Sequence, residues 1–600
     1  MRLVEKVAAL LTWRQKVRTG LLVVLTVLTA AMETLGIASV TPFLAVLAAP
    51  SSVETNPFLS RAHSFLSNES QEQFLLILGL LAFLGLVSST GFRALNSWGQ
   101  LRFSRSVGYA LACRLMTSYL RRPYVFFLSR NNADLTKMVL GEVTQVVAGF
   151  LVPSMAIISS VITATFLLTL ICLASNPLLA LGATATVGGI YVAIYFSMRR
   201  WLGRLGEARF KANQECFEAA SEIFGGIKEI KLLGNEDVYL KRFSGALSRV
   251  ALAQTTASLA GGLPVYALEL VAVGGGLLAA LYYFVRSGVE LSVALPIIAL
   301  YILCARRVLP AAQSIFKSVS QLRYSDKPVK QVLDDFYQTE PQANEAPAST
   351  ARPMPFRHAL LLDDVSFSYP KATKTAIAKL KLEIPMGARV GFVGATGSGK
   401  TTTIDLILGL LSPTTGQLLV DGIPIGQENI RPWQANLGYV PQHIYLADDT
   451  VAANIAFGVP PKKFDQGAVE RAARLAGIHD FVSTEMEAGY MTLVGERGVR
   501  LSGGQRQRIG VARALYRDPK VLLFDEATSA LDNLTEKAVM QELWGLGRDR
   551  TLIFIAHRLT TVRDCDVIYL FAGGKINACG SYQELMANSA DFRSLAMHDS

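Results

Sequence analysis

Cysteine and charge are both scarce in this chain. Its 600 residues include six cysteines, Cys113, Cys172, Cys216, Cys304, Cys565 and Cys579, and no two of them form a CxxC pair. That spacing argues against a disulfide framework and gives a zinc site no support. Cys172 and Cys304 fall in apolar runs and read as small core residues. Only 18% of residues are charged, against 51% hydrophobic, and mean hydropathy is +0.34. A disordered chain needs the opposite balance. A wholly soluble enzyme does not fit either, because so much apolar surface needs lipid or a very large core. The length is too great for one core and suits roughly two to four domains. The charge that remains is one-sided, at +11. That excess points to nucleic acid or to the cytoplasmic face of a membrane.

The apolar residues crowd into the first half of the chain. Six runs stand out, at residues 20–48, 74–98, 146–174, 178–198, 257–285 and 291–309. Each can cross about 30 Å of hydrocarbon as a helix rising about 1.5 Å per residue. The basic residues set the orientation. Five precede the first run, seven lie between the second and third, and ten lie between the fourth and fifth. The alternate loops hold only Arg61 and Arg286. Both termini are therefore expected in the cytoplasm, with the chain multi-pass in the cell inner (plasma) membrane. This placement explains the net charge without nucleic acid. The two large cytoplasmic loops have few turn signals and read as extensions of the membrane helices. Segments 122–129 and 216–226 are candidates for short coupling helices within them.

Residues 338–357 include a stretch rich in Pro, Ala, Gln and Thr, expected as a linker. Residues 1–337 then form a membrane domain and residues 358–600 a second domain. In the latter, short apolar strands alternate with helical stretches, which predicts an α/β nucleotide-binding fold. The expected fold class is thus an α-helical membrane domain of six transmembrane helices plus an α/β P-loop domain.

The chemistry is concentrated in the second domain. Gly394, Ala395, Thr396, Gly397, Ser398, Gly399, Lys400 and Thr401 follow an apolar strand and precede an apolar helix. This is the full phosphate-loop pattern. Its backbone N–H groups can curl around phosphate oxygens, and the helix N-terminus favours negative charge. Lys400 can reach the β- and γ-phosphates of ATP, and the Thr401 hydroxyl can ligate Mg²⁺. Thr402 belongs to the same nucleotide-binding set. A second apolar strand ends in Asp525 and Glu526. Asp525 suits Mg²⁺, through its water shell, and Glu526 suits the polarisation of an attacking water. Ser502, Gly503, Gly504 and Gln505 open a helix and make a second anion site. One subunit does not need two such sites for one γ-phosphate. A head-to-tail pair of chains does, with ATP between the phosphate loop of one and this segment of the other.

Together these motifs resemble the signature and Walker B region of ATP-binding-cassette transporters. Six spans followed by one cassette resemble an exporter-type half-transporter over the whole chain. The resemblance implies further roles. Tyr369 is similar to the aromatic that stacks on adenine. Gln442 is similar to the residue linking Mg²⁺ and water to the membrane helices. Asp532, in the segment Ser529, Ala530, Leu531, Asp532, is similar to the D-loop aspartate. His557 is similar to the switch histidine at the γ-phosphate. Gly495, Glu496, Arg497 and Gly498 are similar to the loop that senses the membrane domain. Ala453 departs from the family, whose members often carry Glu there, at a position outside the chemistry. The implied partner is a second copy of the chain, and the implied activity is ATP hydrolysis coupled to transport.

For the cargo, Arg306 and Arg307 lie about 15 residues into the sixth span, or roughly 22 Å deep. Arg93 lies at a similar depth in the second. The three either grip an anionic lipid headgroup or snorkel to the inner interface. Glu33 and Glu269 either pair with such arginines or mark a cation path. The outer loop, residues 49–73, has an apolar face expected on the membrane surface or packed as a structural plug. This loop and the segment at 225–234 resemble bacterial flippases of lipid-linked oligosaccharides. A multidrug or peptide exporter is the alternative cargo class, and an ATP-gated channel the alternative activity.

Overall fold

The computed structural model describes residues 11–48, 53, 57–66, 71–174, 177–269, 291–337, 352–370, 372–526, 533–556 and 558–598. The chain divides into two compact units. One is Met1–Arg122 with Arg130–Pro341, and the other is Pro123–Ser129 with Gln342–Ser600.

The first unit is helical. Among the described residues, Trp13–Leu47, Glu72–Leu120 and Asn132–Leu173 are long and apolar enough to cross a membrane. The other three expected spans fall on the helices Pro177–Gly225, Glu236–Glu269 and Leu291–Tyr324, while residues 270–290 lie outside the described residues. Helix Gln71–Leu120 has 50 residues. That is about 75 Å at ~1.5 Å per residue, more than twice the hydrocarbon thickness. The helices therefore do extend well past a bilayer. The first helix starts in a capping box, with the Thr12 hydroxyl accepting from the Gln15 N–H. It is tied to the second span by the Thr26 hydroxyl, which donates to Asn96 Oδ1 at 3.2 Å.

Packing between the rods is tight where side chains are absent. A Cβ at Gly206 would lie 2.0 Å from the Tyr324 carbonyl oxygen. Helix Pro177–Gly225 can approach helix Leu291–Tyr324 this closely only with glycine there. Nearby, Lys137, Glu142 and Arg209 are all buried. Glu142 faces Arg209 at 3.8 Å, and the Lys137 ammonium lies 4.0 Å from the Phe210 ring centroid. Lys137–Glu142 and Val147–Leu151 are π-helical. The second of these has a local cause. Pro153 has no N–H to donate four residues back, so the turn before it widens.

Two loop expectations resolve differently. Cys216 lies inside the long helix, which ends at Gly225; the short helix is Ile227–Leu233, ended by Gly234 at φ 66°. In the outer loop, Val53 and Leu59 are buried with Val46, Phe74 and Leu78. Their apolar face meets protein, as the plug reading requires.

The second unit is α/β. Its strands are β1 (Ala359–Phe367), β2 (Ile377–Pro385), β3 (Arg389–Gly394), β4 (Thr415–Val420), β5 (Ile423–Pro424), β6 (Leu437–Val440), β7 (Val521–Asp525), β8 (Thr551–Ile555), β9 (Val567–Ala572) and β10 (Lys575–Gly580). An antiparallel sheet runs β2-β1-β4-β5. The larger sheet runs β10-β9-β3-β8-β7-β6 and is parallel except for the β9–β10 pair. Every residue of β7 and β8 is buried, as central strands covered on both faces require. Between the sheets, Trp433 is fully buried and donates its indole N–H to the Ile407 carbonyl at 2.8 Å. Val125, on the short helix Tyr124–Leu128, packs against that same core. Of the expected linker, residues 338–351 lie outside the described residues, and residues 352–357 are not in regular secondary structure.

Candidate functional site

The site forms at the C-terminal ends of β3 and β7, two strands that flank β8. This is where open α/β sheets bind ligands. Gly394 closes β3 at φ 144°, and a Cβ there would lie 2.3 Å from the Phe571 carbonyl. Only glycine lets the loop turn so close to β9. The helix Lys400–Ile407 follows, with its N-terminus at the loop. Lys400 donates to the Gly394 and Ala395 carbonyls at 2.6 and 3.1 Å, so its ammonium is held inside the loop. Burial lowers its pKa, and the nearby Glu526 and Asp525 carboxylates oppose that shift.

The strand β7 delivers Asp525 and Glu526. Asp525 is buried, and Tyr439 directs its hydroxyl at Asp525 Oδ2, 3.5 Å away. Glu526 leaves the strand at φ 50°, an unfavourable backbone for a residue with a Cβ. That turn swings its carboxylate towards Gln442, whose Nε2 donates to Glu526 Oε2 at 2.7 Å. Residues 84 apart in sequence thus meet. The Tyr369 hydroxyl lies 3.1 Å from the Thr402 hydroxyl, and its ring meets Phe367 edge-on.

The expected Mg²⁺ fits the groups on offer. The Ser398 hydroxyl is buried within the loop and has no protein partner. Thr401 is exposed on the first helical turn, and Asp525 ends the neighbouring strand. Hydroxyl and carboxylate oxygens beside a phosphate cradle are the hard donors this ion prefers.

The second anion segment is built as expected at its own helix. Ser502 accepts from the Gln505 N–H at 3.2 Å, and Gln505 Oε1 accepts from the Ser502 N–H at 2.8 Å. This capping box fixes the start of helix Gly503–Leu515. Gly495, Glu496, Arg497 and Gly498 form a strained turn, with Arg497 at φ 52°. Asp532 and His557 lie outside the described residues.

Sequence reasoning missed Asp405. It sits on the helix after the phosphate loop, and its carboxyl is pushed up to about 6 by burial and by the nearby Asp525 charge. Its only sequence signal is a lone acid inside an apolar helix. Folded protein holds this proton up to about pH 6, whereas the unfolded chain releases it near pH 4. Asp405 therefore lowers stability as pH rises through that window. Asp405→Asn is expected to raise the thermal midpoint, with a gain that grows from pH 4 to pH 6 and then levels off. A pH-independent gain measured by scanning fluorimetry would contradict this account.

A phosphate loop, a carboxylate-tipped strand and a helical unit with membrane-length helices define a membrane-bound ATPase. The chain belongs to the ABC transporter family. The family model for the ABC transporter transmembrane region matches residues 19–301, and the ABC transporter family model matches residues 377–529. The "ATP-dependent lipid A-core flippase" of Cupriavidus metallidurans is 32% identical over 82% of this chain and 82% of its own length. "ABC transporter B family member 14" of Arabidopsis thaliana is 43% identical over 38% of this chain and 18% of its own length. The solved structure of a bacterial Atm1-family ABC exporter with ATP bound matches with a TM-score of 0.75 and 25% identity, covering 98% of each chain. The protein is an ABC exporter, membrane-embedded and ATP-binding, in which one ATPase cassette is fused to one membrane domain.

Proposed function

We propose that the protein uses ATP to flip an anionic, phosphorylated saccharide lipid outward across the inner membrane, as a homodimer with both termini cytoplasmic. Residues 1–337 serve as the membrane part, 338–357 as the linker and 358–600 as the cassette. The observation that carries the cargo reading is a set of arginines around a buried carboxylate in the spans. Glu33 is 6% exposed, with Arg307 Nε at 3.2 Å and Arg93 at 4.0 Å. Arg306, next to Arg307 in sequence, is exposed. Snorkelling alone does not account for Arg307, which is spent on an internal ion pair. Two guanidiniums against one carboxylate leave a net positive site suited to phosphate. The name of the Cupriavidus metallidurans relative, a lipid A-core flippase, supports a lipid cargo.

In this reading the phosphate loop and Lys400 hold the ATP phosphates, and Tyr369 packs on the base. Thr401, Asp525 and Gln442 would hold Mg²⁺, which would supply charge neutralisation of the phosphates when bound. Glu526 takes the proton of the attacking water, positioned by Gln442, and His557 contacts the γ-phosphate. Ser502, Gly503, Gly504, Gln505 and Asp532 come from the second copy. Two apolar surfaces support the dimer. The short helix Ile227–Leu233 exposes Leu232 and Leu233, and the cassette exposes Tyr445, Met491, Leu493 and Val499. A second copy would cover both. Closing on ATP and reopening after hydrolysis then shift the helices between inward- and outward-facing states.

The test is ATPase stimulation in vesicles. A phosphorylated glycolipid is expected to stimulate hydrolysis where drugs and hydrophobic peptides do not. Replacing Arg306 and Arg307 together by alanine is expected to lower that stimulation about tenfold or more, the worth of at least one charge-assisted hydrogen bond. Basal hydrolysis should stay near wild type. Stimulation by drugs but not by glycolipid would point to a multidrug exporter instead.

A further inference from the structure

The chain passes between its two units three times. It leaves the first after Arg122, returns at Arg130 and leaves again after Pro341. One carboxylate gathers the first-unit ends of these crossings. Asp335, on helix Asp326–Tyr337, is buried and lies six residues before Pro341. Its Oδ2 accepts from the Tyr119 hydroxyl at 2.6 Å, four residues before the chain enters Pro123–Ser129. Arg130, the first residue after that segment, donates to Oδ2 at 3.1 Å and to Oδ1 at 3.2 Å. The fork is bidentate, so it fixes direction as well as distance. Burial and the bond to Asp335 push the Tyr119 hydroxyl pKa up, so it remains a donor at any physiological pH. Arg114 adds a contact to the next residue, its guanidinium 5.7 Å from the Phe336 ring centroid.

We infer that Asp335 is a positioning residue that makes the three crossings move as one, and that nucleotide-driven motion of the cassette reaches the membrane helices through it. The segment between the stems has its own anchor in the cassette core through Val125. A rigid joint passes a displacement on, whereas independent strands of chain absorb it. Through this one carboxylate, hydrogen bonds tie both stems of the Pro123–Ser129 excursion to the helix ahead of the linker. The inference rests on ATPase-coupled transport, which family membership supplies, and not on the cargo.

The experiment is hydrogen–deuterium exchange of the full-length protein in nanodiscs, with and without ATP, Mg²⁺ and vanadate. Two helices report, Gly503–Leu515 in the cassette and Pro57–Leu66 in the outer loop. In wild type both should respond to nucleotide. In Asp335→Asn the cassette response should persist while the outer response falls about five-fold or more, the usual scale of a coupling free energy. Basal ATP turnover should stay within about two-fold, since Asp335 is remote in sequence from every nucleotide-binding motif. A full outer response in Asp335→Asn overturns the inference. Equal loss of both responses in a folded variant also overturns it, because Asp335 would then be only a brace for the fold. An outer helix indifferent to nucleotide in wild type does the same. Should Asp335→Asn fail to fold, Arg130→Gln takes its place with the same outcomes.

Discussion

Glu526→Gln is expected to lower ATP turnover by about two to four orders of magnitude, the usual worth of a general base. ATP binding should survive. The reason lies in the bond from Gln442 Nε2 to Glu526 Oε2, 2.7 Å long. An amide of the same shape keeps a carbonyl oxygen to accept that bond, so the site geometry is retained. It cannot take a proton from water. The variant should therefore bind nucleotide, close and fail to reopen. Phosphate release measures the first effect, and a nucleotide-dependent shift in size or cross-linking measures the second. Turnover at the wild-type rate would remove Glu526 from the role of base.

A comparably large effect on stability is expected at Glu142. Its side chain is 0% exposed, and Arg209 beside it is 3% exposed. Burial pushes the Glu142 carboxyl up, while Arg209 and Lys137 pull it back down. Burial pushes the Lys137 ammonium down, and Glu142 opposes that. At both groups burial is the larger influence and the neighbouring opposite charges offset it only in part. Glu142→Ala would leave two cations buried without their anion, at a cost of about 3–5 kcal/mol. Glu142→Gln should cost less, because the oxygen that accepts from Asn213 Nδ2 at 3.5 Å can be kept. Thermal unfolding in detergent is the measurement. An alanine variant as stable as wild type would mean that water already reaches the cluster.

The parts of this molecule that can be read from the sequence are those in which neighbours along the chain carry the pattern. The phosphate loop is contiguous, and so is the apolar strand ending in Asp525 and Glu526. The strands β1, β2, β3, β4, β7, β8 and β9 are visible as short apolar runs, whereas β6, β10 and the two-residue β5 are not. β6 has only four residues, one of them glycine, and β10 is a half-polar edge strand, Lys575–Gly580. Neither carries enough hydrophobic signal to stand above its surroundings. The pairings were hidden for a different reason. Glu33 drew notice as a charge inside a span, yet its choice of Arg307 depends on how two distant helices face each other. Asp335, Tyr119 and Arg130 drew none, because each is an ordinary residue until a fold brings them together. The second short helix was expected too early, since the helical pattern runs unbroken to Gly225 and only the pair Gly225 and Gly226 stops it.

The wide turns at Lys137–Glu142 and Val147–Leu151 bear on the helix that continues into Val152–Ala174. Each surplus residue in such a turn rotates the downstream helix by about 100° around its axis. The azimuth of the third span is therefore set by a stretch at the edge of the lipid or outside it. Trimming one residue at Lys137–Glu142 would leave the run 146–174 untouched and still present a different side of it to every neighbour.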